Sequence, residues 1–330
     1  MDVLSDAVTM LRTGRPHSNS NRLWAPWGIR FPPTDGAGFH IVLMGTCWLL
    51  RAGARPLRLA AGDIVLLPRE PGHALADDPA SPLTDFRADP HGPIPSEHAD
   101  GYGGSGPGGR TVTELLCGAY MFDRFRLHPL LADLPDVIHL PARVGHHPRL
   151  RAAVDLLGAE LAEPRAGAAA SMSALLDLLL LYMLRAWFDD HSTGSSTGSS
   201  TGWSAALADP AVSAALRAMH AEPEMPWTVR ELGARVGLSR TVFAQRFTAL
   251  VGKPPLAYLT WWRMTMAARL LRETDSPLPA VARRCGYSSE FAFAKTFKRE
   301  FGVPPGAFRR EGRPPSGSPA DASPLTATLS

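Results

Sequence analysis

The sequence predicts an α+β chain of two domains, an N-terminal β-barrel with flanking helices and a C-terminal all-α domain carrying two helix-turn-helix units. Three observations carry this. Residues 227–310 state one pattern twice. Residues 22–142 consist of short β-rich runs punctuated by Gly and Pro. Between them, Asp189 to Gly202 with its Ser-Thr-Gly repeats predicts a flexible linker. The expected boundaries are therefore 1–188 for the first domain, 203–311 for the second, and a disordered tail over 312–330.

Composition is consistent with two cores. The chain has 330 residues, 45% hydrophobic and 20% charged, enough for two domains rather than one. No run of about 18 apolar residues occurs, and Leu175 to Trp187 is too short and carries Asp177 and Arg185. The N-terminus lacks a basic-then-apolar leader pattern, and three widely spaced cysteines fit a reducing cytoplasm better than a disulfide scaffold. The net charge of +3 hides a split. Residues 203–311 hold 16 Lys and Arg against 9 Asp and Glu, and the remainder 18 against 22. Positive charge is thus concentrated on the repeated pattern, as phosphate binding requires.

In chain order, Met1 to Thr13 suits a short amphipathic helix. Phe39 to Leu43 and Thr46 to Leu50 predict strands around Met44-Gly45. Leu57 to Leu59, Ile64 to Leu67 and Gly72 to Leu75 continue the β pattern. Residues 77–111, rich in Asp, Pro, Gly and His, interrupt it as an inert insertion or a lid; Gly101 to Gly109 is expected to be flexible, and His91 and His98 to be solvated. His147 to Glu163 and Ala168 to Phe188 predict helices. The second is apolar nearly all round, so it is buried on more than one face, within the chain or against its twin in a homodimer.

The duplicated region reads helix, glycine turn, helix, Gly-x-Pro-Pro stop, in both copies. Gly237-Leu238-Ser239, Phe243, Phe247 and Gly252 match Gly286-Tyr287-Ser288, Phe293, Phe297 and Gly302. The offset is 49 before the phenylalanines and 50 from them onward, so one residue is inserted. Val242, Phe243, Phe247 and Leu250 are expected to face inward, with Ser239 as N-cap. Arg240, Thr241, Ala244 and Gln245 then face outward, short or polar groups suited to base edges and phosphates. In the second copy Ser288 or Ser289 caps, Phe293, Phe297 and Phe301 pack, and Glu290, Ala292, Lys295, Lys298 and Arg299 face out. A helix from Leu256 to Thr274 joins the copies. At about 1.5 Å per residue it spans about 28 Å, close to the turn of about 34 Å that separates successive major-groove faces.

These motifs, with Ala234, Trp262-Arg263-Met264 and the run Phe297 to Pro305, make residues 209–311 resemble the DNA-binding domain of the AraC/XylS family of bacterial transcriptional regulators. Gly62, Pro68 and His73 fall at the spacing of the second cupin motif, with Glu70 where that motif has glycine, while His40 alone remains of the first. Residues 22–142 thus resemble the cupin-type sensor domain of one branch of that family, as do Thr113 to Tyr120, His128 to Leu131 and Leu134 to Leu140.

The resemblance implies a cytoplasmic, bacterial, effector-sensing DNA-binding regulator, without cofactor and not an enzyme. Its implied partners are promoter DNA, a small-molecule effector or oxidant, a second copy of the chain and, for an activator, RNA polymerase. No Ser-His-Asp set, P-loop or dinucleotide fingerprint points to catalysis. Effector contacts are expected from His40, His73 and Cys117 inside the barrel. Two His and one Cys could also hold Zn or Cu, and Cys117 could instead respond by oxidation. A lone strand histidine is more often a satisfied structural residue than a metal ligand. In the second copy, Lys295 matches a family position that is usually basic and base-facing. Phe291 departs from the family, standing where a small or polar residue is common.

Overall fold

A computed structural model of the chain describes residues 2–11, 17–34, 36–69, 71–86, 112–121, 128–163, 165–193 and 202–311. The expectations for Glu70, His91, His98, Gly101 to Gly109, the Ser-Thr-Gly linker and the tail from Gly312 fall outside those residues. The described chain divides into two compact units, Met1–Arg217 with Val229–Pro255, and Ala218–Thr228 with Leu256–Ser330.

Among the described residues the N-terminal region opens with helix α1 (Val3–Leu11) and continues with strands β1 (His17–Trp24), β2 (Gly28–Phe31), β3 (Gly36–Met44), β4 (Thr46–Leu50), β5 (Leu57–Ala60), β6 (Ile64–Leu67), β7 (His73–Ala76), β8 (Thr84–Asp85), β9 (Val112–Met121) and β10 (Ile138–Leu140). They form two five-stranded sheets, ordered β1-β9-β3-β6-β10 and β5-β4-β7-β2-β8. The expected barrel is therefore a cupin-like pair of facing sheets, not one continuously closed sheet. Every pairing is antiparallel except β2 with the two-residue β8. The chain leaves one sheet for the other at Met44-Gly45, so β3 and β4 lie in different sheets.

Alternation assigns the faces. Leu23, Val42, Val65, Leu67, Leu115 and Cys117 of the first sheet meet Ile29, Cys47, Leu49, Leu59 and Leu75 of the second in one buried core. The opposite face of the first sheet is apolar as well, which is why β3 and β6 are continuous hydrophobic runs. On that face Phe39 and Tyr120 lie 5.3 Å apart, and the Tyr120 hydroxyl donates to the Leu176 carbonyl at 2.8 Å.

Leu176 belongs to α4 (Ala168–Thr193), which runs past the expected end at Phe188 and packs against α3 (Pro148–Ala162), α1 and β10. Leu176, Leu179, Leu180, Met183 and Leu184 are buried, whereas Ala174 and Leu178 are exposed and Leu175, Leu181 and Tyr182 half-buried. α4 is long and apolar enough to cross a membrane by length and composition alone. A short helix, α2 (Pro129–Ala132), precedes β10.

Beyond residue 201 the structure is helical: α5 (Trp203–Ala208), α6 (Pro210–Ala221), α7 (Val229–Arg235), α8 (Arg240–Val251), α9 (Pro255–Glu273), α10 (Leu278–Arg284), α11 (Glu290–Phe301) and α12 (Pro305–Glu311). Asp209 anchors the first of these. One carboxylate oxygen accepts from the Ala211 and Val212 amides, capping α6, and the other pairs with Arg246 of α8. In the second unit His220 stacks on Trp262 with ring centroids 3.7 Å apart, and its Nε2 lies 2.8 Å from the Tyr258 hydroxyl.

Candidate nucleic-acid interface and sensor site

The first hairpin is α7, residues 236–239, and α8. Ser239 is extended, and its hydroxyl accepts from the Val242 amide. Phe243, Phe247 and Val251 are buried, and Gly252 ends the helix in the left-handed region with its amide on Thr248. Of the expected contact residues, Arg240, Thr241 and Gln245 are exposed and Ala244 is half-buried. Val242 corrects the sequence reading: it is 48% exposed and joins the outer face. It lies only one residue from Phe243, about 100° around the helix, so the two cannot both point at the core centre. Arg246, also on the solvent side, is held by Asp209.

The second hairpin is α10, residues 285–289, and α11. Between the two candidate caps the structure selects Ser289, whose hydroxyl accepts from the Ala292 amide at 3.3 Å. The inserted residue lies in this connection, which has five residues where the first hairpin has four. Phe293, Phe297, Phe301 and Phe308 form a contiguous aromatic core with Met264, Leu271 and Val281. Ser288, Ser289, Glu290, Ala292, Lys295, Lys298 and Arg299 are all exposed. The Arg299 guanidinium lies on Glu300 at 3.0 Å. Phe291 is 80% exposed, the most exposed aromatic residue of this helix.

Sequence reasoning left one residue without a role. Arg263 donates from Nε to the Pro223 carbonyl at 2.6 Å and from Nη2 to the Met225 carbonyl at 2.7 Å, with Tyr287 under its guanidinium. A Cβ at Gly286 would meet that guanidinium at 2.7 Å and the Pro223 carbonyl oxygen at 2.9 Å. Gly286 is thus required by its φ of 74° and again by space. Gly237 has φ 71° and nothing within 4 Å of such a Cβ. The Trp262-Arg263-Met264 motif signalled Arg263 without revealing what it holds.

In the N-terminal region, register places Cys117, His40 and Val65 side by side across β9, β3 and β6, so all three point into the space between the sheets. From the facing sheet His73 meets His40, Nε2 to Nε2, at 2.6 Å. Phe31 stacks on His73 and lies 5.0 Å from His40, with Phe86 behind it. Both imidazoles are buried. The contact requires one ring to donate and the other to accept, so the accepting ring is neutral. Burial, and then the neighbouring His73, hold His40 well below its ordinary value. A value lowered by folding contributes stability above the unfolded value, about 6.5, and that contribution is lost as pH falls. His40 Nδ1 has no hydrogen-bond partner among the described residues.

Cys117 lies in the adjoining core but does not complete a ligand set with the two histidines. Among the described residues the only trio of His, Cys or carboxylate groups with ligand atoms within 4.8 Å of one another is His146, His147 and Asp190. All three cysteines are buried. Burial pushes Cys47 and Cys285 up to about 12.

Capped hairpins with polar outer faces, following a two-sheet domain in the chain, are the arrangement of a DNA-binding regulator with a second, N-terminal domain. Comparison with known proteins agrees. A cupin model matches residues 2–189, and a helix-turn-helix domain model residues 232–311. An AraC-like transcription regulator of Streptomyces lividans is 34% identical over 313 residues, covering 94% of this chain and 98% of that one. The transcriptional regulator AlkR of Acinetobacter baylyi is 29% identical over 333 residues, covering 94% and 100%. RclR of Escherichia coli, an RCS-specific transcriptional activator, is 27% identical over 278 residues, covering 83% and 84%. Among solved structures, the DNA-binding domain of AdpA in complex with a target DNA is 34% identical over 33% of this chain and 99% of that one, with a TM-score of 0.31. The chain belongs to the AraC family of DNA-binding transcriptional regulators.

Proposed function

We propose that the chain is a cytoplasmic, non-enzymatic regulator whose N-terminal domain binds a small molecule and thereby controls promoter binding by α8 and α11. The observation that carries the DNA-reading half is the pair of capped helices whose outer faces hold Arg240, Thr241 and Gln245, and Ser288, Ala292, Lys295 and Lys298. Gln245 reads a base edge and Arg240 a phosphate. Glu290 excludes phosphate from its own position, and Arg299, shared with Glu300, contributes less than Lys298. Ala244 and Ser289 pack and cap more than they read. Gln245→Ala should relax specificity at one operator position while Arg240→Ala weakens binding to all sequences, measured by fluorescence anisotropy over operator variants. Indistinguishable profiles for the two would refute the assignment.

The sensing half rests on the His40–His73 pair, a polar handle among Phe31, Phe86 and the apolar core, suited to a largely apolar ligand with one hydrogen-bonding group. Oxidation at Cys117 is the competing signal. Its burial favours the small molecule, because a buried thiol is inert. DNA affinity with and without mild oxidant, in wild type and Cys117→Ser, separates the two. Dimerisation uses α4, where Ala174, Leu178, Leu181 and Tyr182 form a stripe at helical spacing beside the packed face. Residues 1–190 sediment as a dimer and 203–311 as a monomer on this reading, with 189–202 as the linker between the domains. An activator of this kind would also contact RNA polymerase.

A further inference from the structure

We propose that His146, His147 and Asp190 bind a divalent first-row transition cation on the N-terminal domain, away from the His40–His73 pair. Their ligand atoms lie within 4.8 Å of one another. Donors on a tetrahedral ion with bonds of about 2.0–2.1 Å are separated by about 3.3 Å. His147 Nε2 already stands 3.2 Å from one Asp190 oxygen and 3.3 Å from the other, so this edge of the polyhedron is formed. His146, its ring centroid 5.9 Å from that of His147, supplies the third donor by side-chain rotation in solvent.

The backbone holds His147 in place for this. It is the only non-glycine residue with positive φ among the described residues, at φ 50° and ψ 53°. It also precedes Pro148, and residues before proline are steered away from helical conformations. His147 caps α3 without a side-chain capping bond, so its imidazole is directed at Asp190 in the last turn of α4. The strain is unexplained by capping, and such strain concentrates where a side chain must be aimed.

Electrostatics on α4 agree: a cation beside Asp190 sits at the negative end of that helix, and the carboxylate offsets the positive end of α3. Two imidazoles and one carboxylate are borderline donors that suit zinc, nickel or copper better than magnesium or calcium. Binding replaces the direct contact of His147 with Asp190 and ties the start of α3 to the end of α4.

The test is calorimetric titration of Zn²⁺ alone into the chelator-treated full chain. Wild type should bind one equivalent that His146→Gln and Asp190→Asn each lose and that His40→Gln retains. His146 is exposed, so its replacement leaves the fold intact, and the unchanged circular dichroism of the metal-free variant verifies this. Equal stoichiometry in wild type and His146→Gln, no binding by wild type, or equal loss in His40→Gln would overturn the site.

Discussion

The two hairpins share a scaffold and differ in almost everything they present. Each begins its outer helix at a serine that caps the amide three residues on, and each ends it at a left-handed glycine. Between those points the first offers Arg240, Thr241, Val242 and Gln245, and the second Glu290, Phe291, Ala292, Lys295 and Lys298. The inner faces differ too. Phe297 touches the rings of Phe293, Phe301 and Phe308, while Phe247 meets Phe243 at 5.6 Å. A duplicated frame thus tolerates independent surfaces, because caps and core set the helices and the outward positions are left to the ligand.

The largest expected effect tests the inner faces. Phe297→Ala and Phe247→Ala should each cost about 3–5 kcal/mol, with Phe297 at the upper end because its cavity is walled by rings that cannot collapse. Urea denaturation of the full chain measures both, and an equal or reversed order would break the comparison. Next come the turns. Gly237→Ala should cost about 1–2 kcal/mol, from left-handed strain alone. Gly286→Ala should cost about 1–3 kcal/mol more, since the new methyl displaces Arg263 from its carbonyls.

The outer faces follow. Arg240→Ala should lower operator affinity and make the slope of log K against log salt shallower by about 0.9, the signature of one lost phosphate-neutralising charge. Gln245→Ala should cost about 1–3 kcal/mol against the matched base and leave that slope unchanged. A salt effect in Gln245→Ala would assign it to the backbone instead. The smallest effects sharpen the shared part. Ser239→Ala and Ser289→Ala should each cost about 1 kcal/mol in thermal unfolding, and by similar amounts.

The C-terminal helices were legible because their signals are local: caps, glycine turns and Pro stops each act within one turn of helix. Even the inserted residue was counted correctly, though only the structure puts it in the α10–α11 connection. Val242 was misread because an apolar residue beside Phe243 was assigned to the same face, where the turn angle forbids it. In the N-terminal region the strands from β3 to β7 were readable as short β-rich runs punctuated by Gly and Pro, but their division into two sheets was not, since partners such as His40 and Cys117 stand 77 positions apart. The cupin resemblance allowed His40 and His73 to approach each other inside the domain, and they do. That Cys117 stays with the apolar core, and that His147 faces Asp190, depended on register and on a helix end that no local pattern encodes.

The His40–His73 contact also bears on how this lineage can change. Replacing His73 alone removes the group that meets Nε2 of His40 in a place water does not reach, and replacing His40 alone removes the opposite ring. Each single step passes through a less stable intermediate, so drift at the two sites is coupled. Descendants should either keep both imidazoles or exchange both together, for instance for an apolar pair.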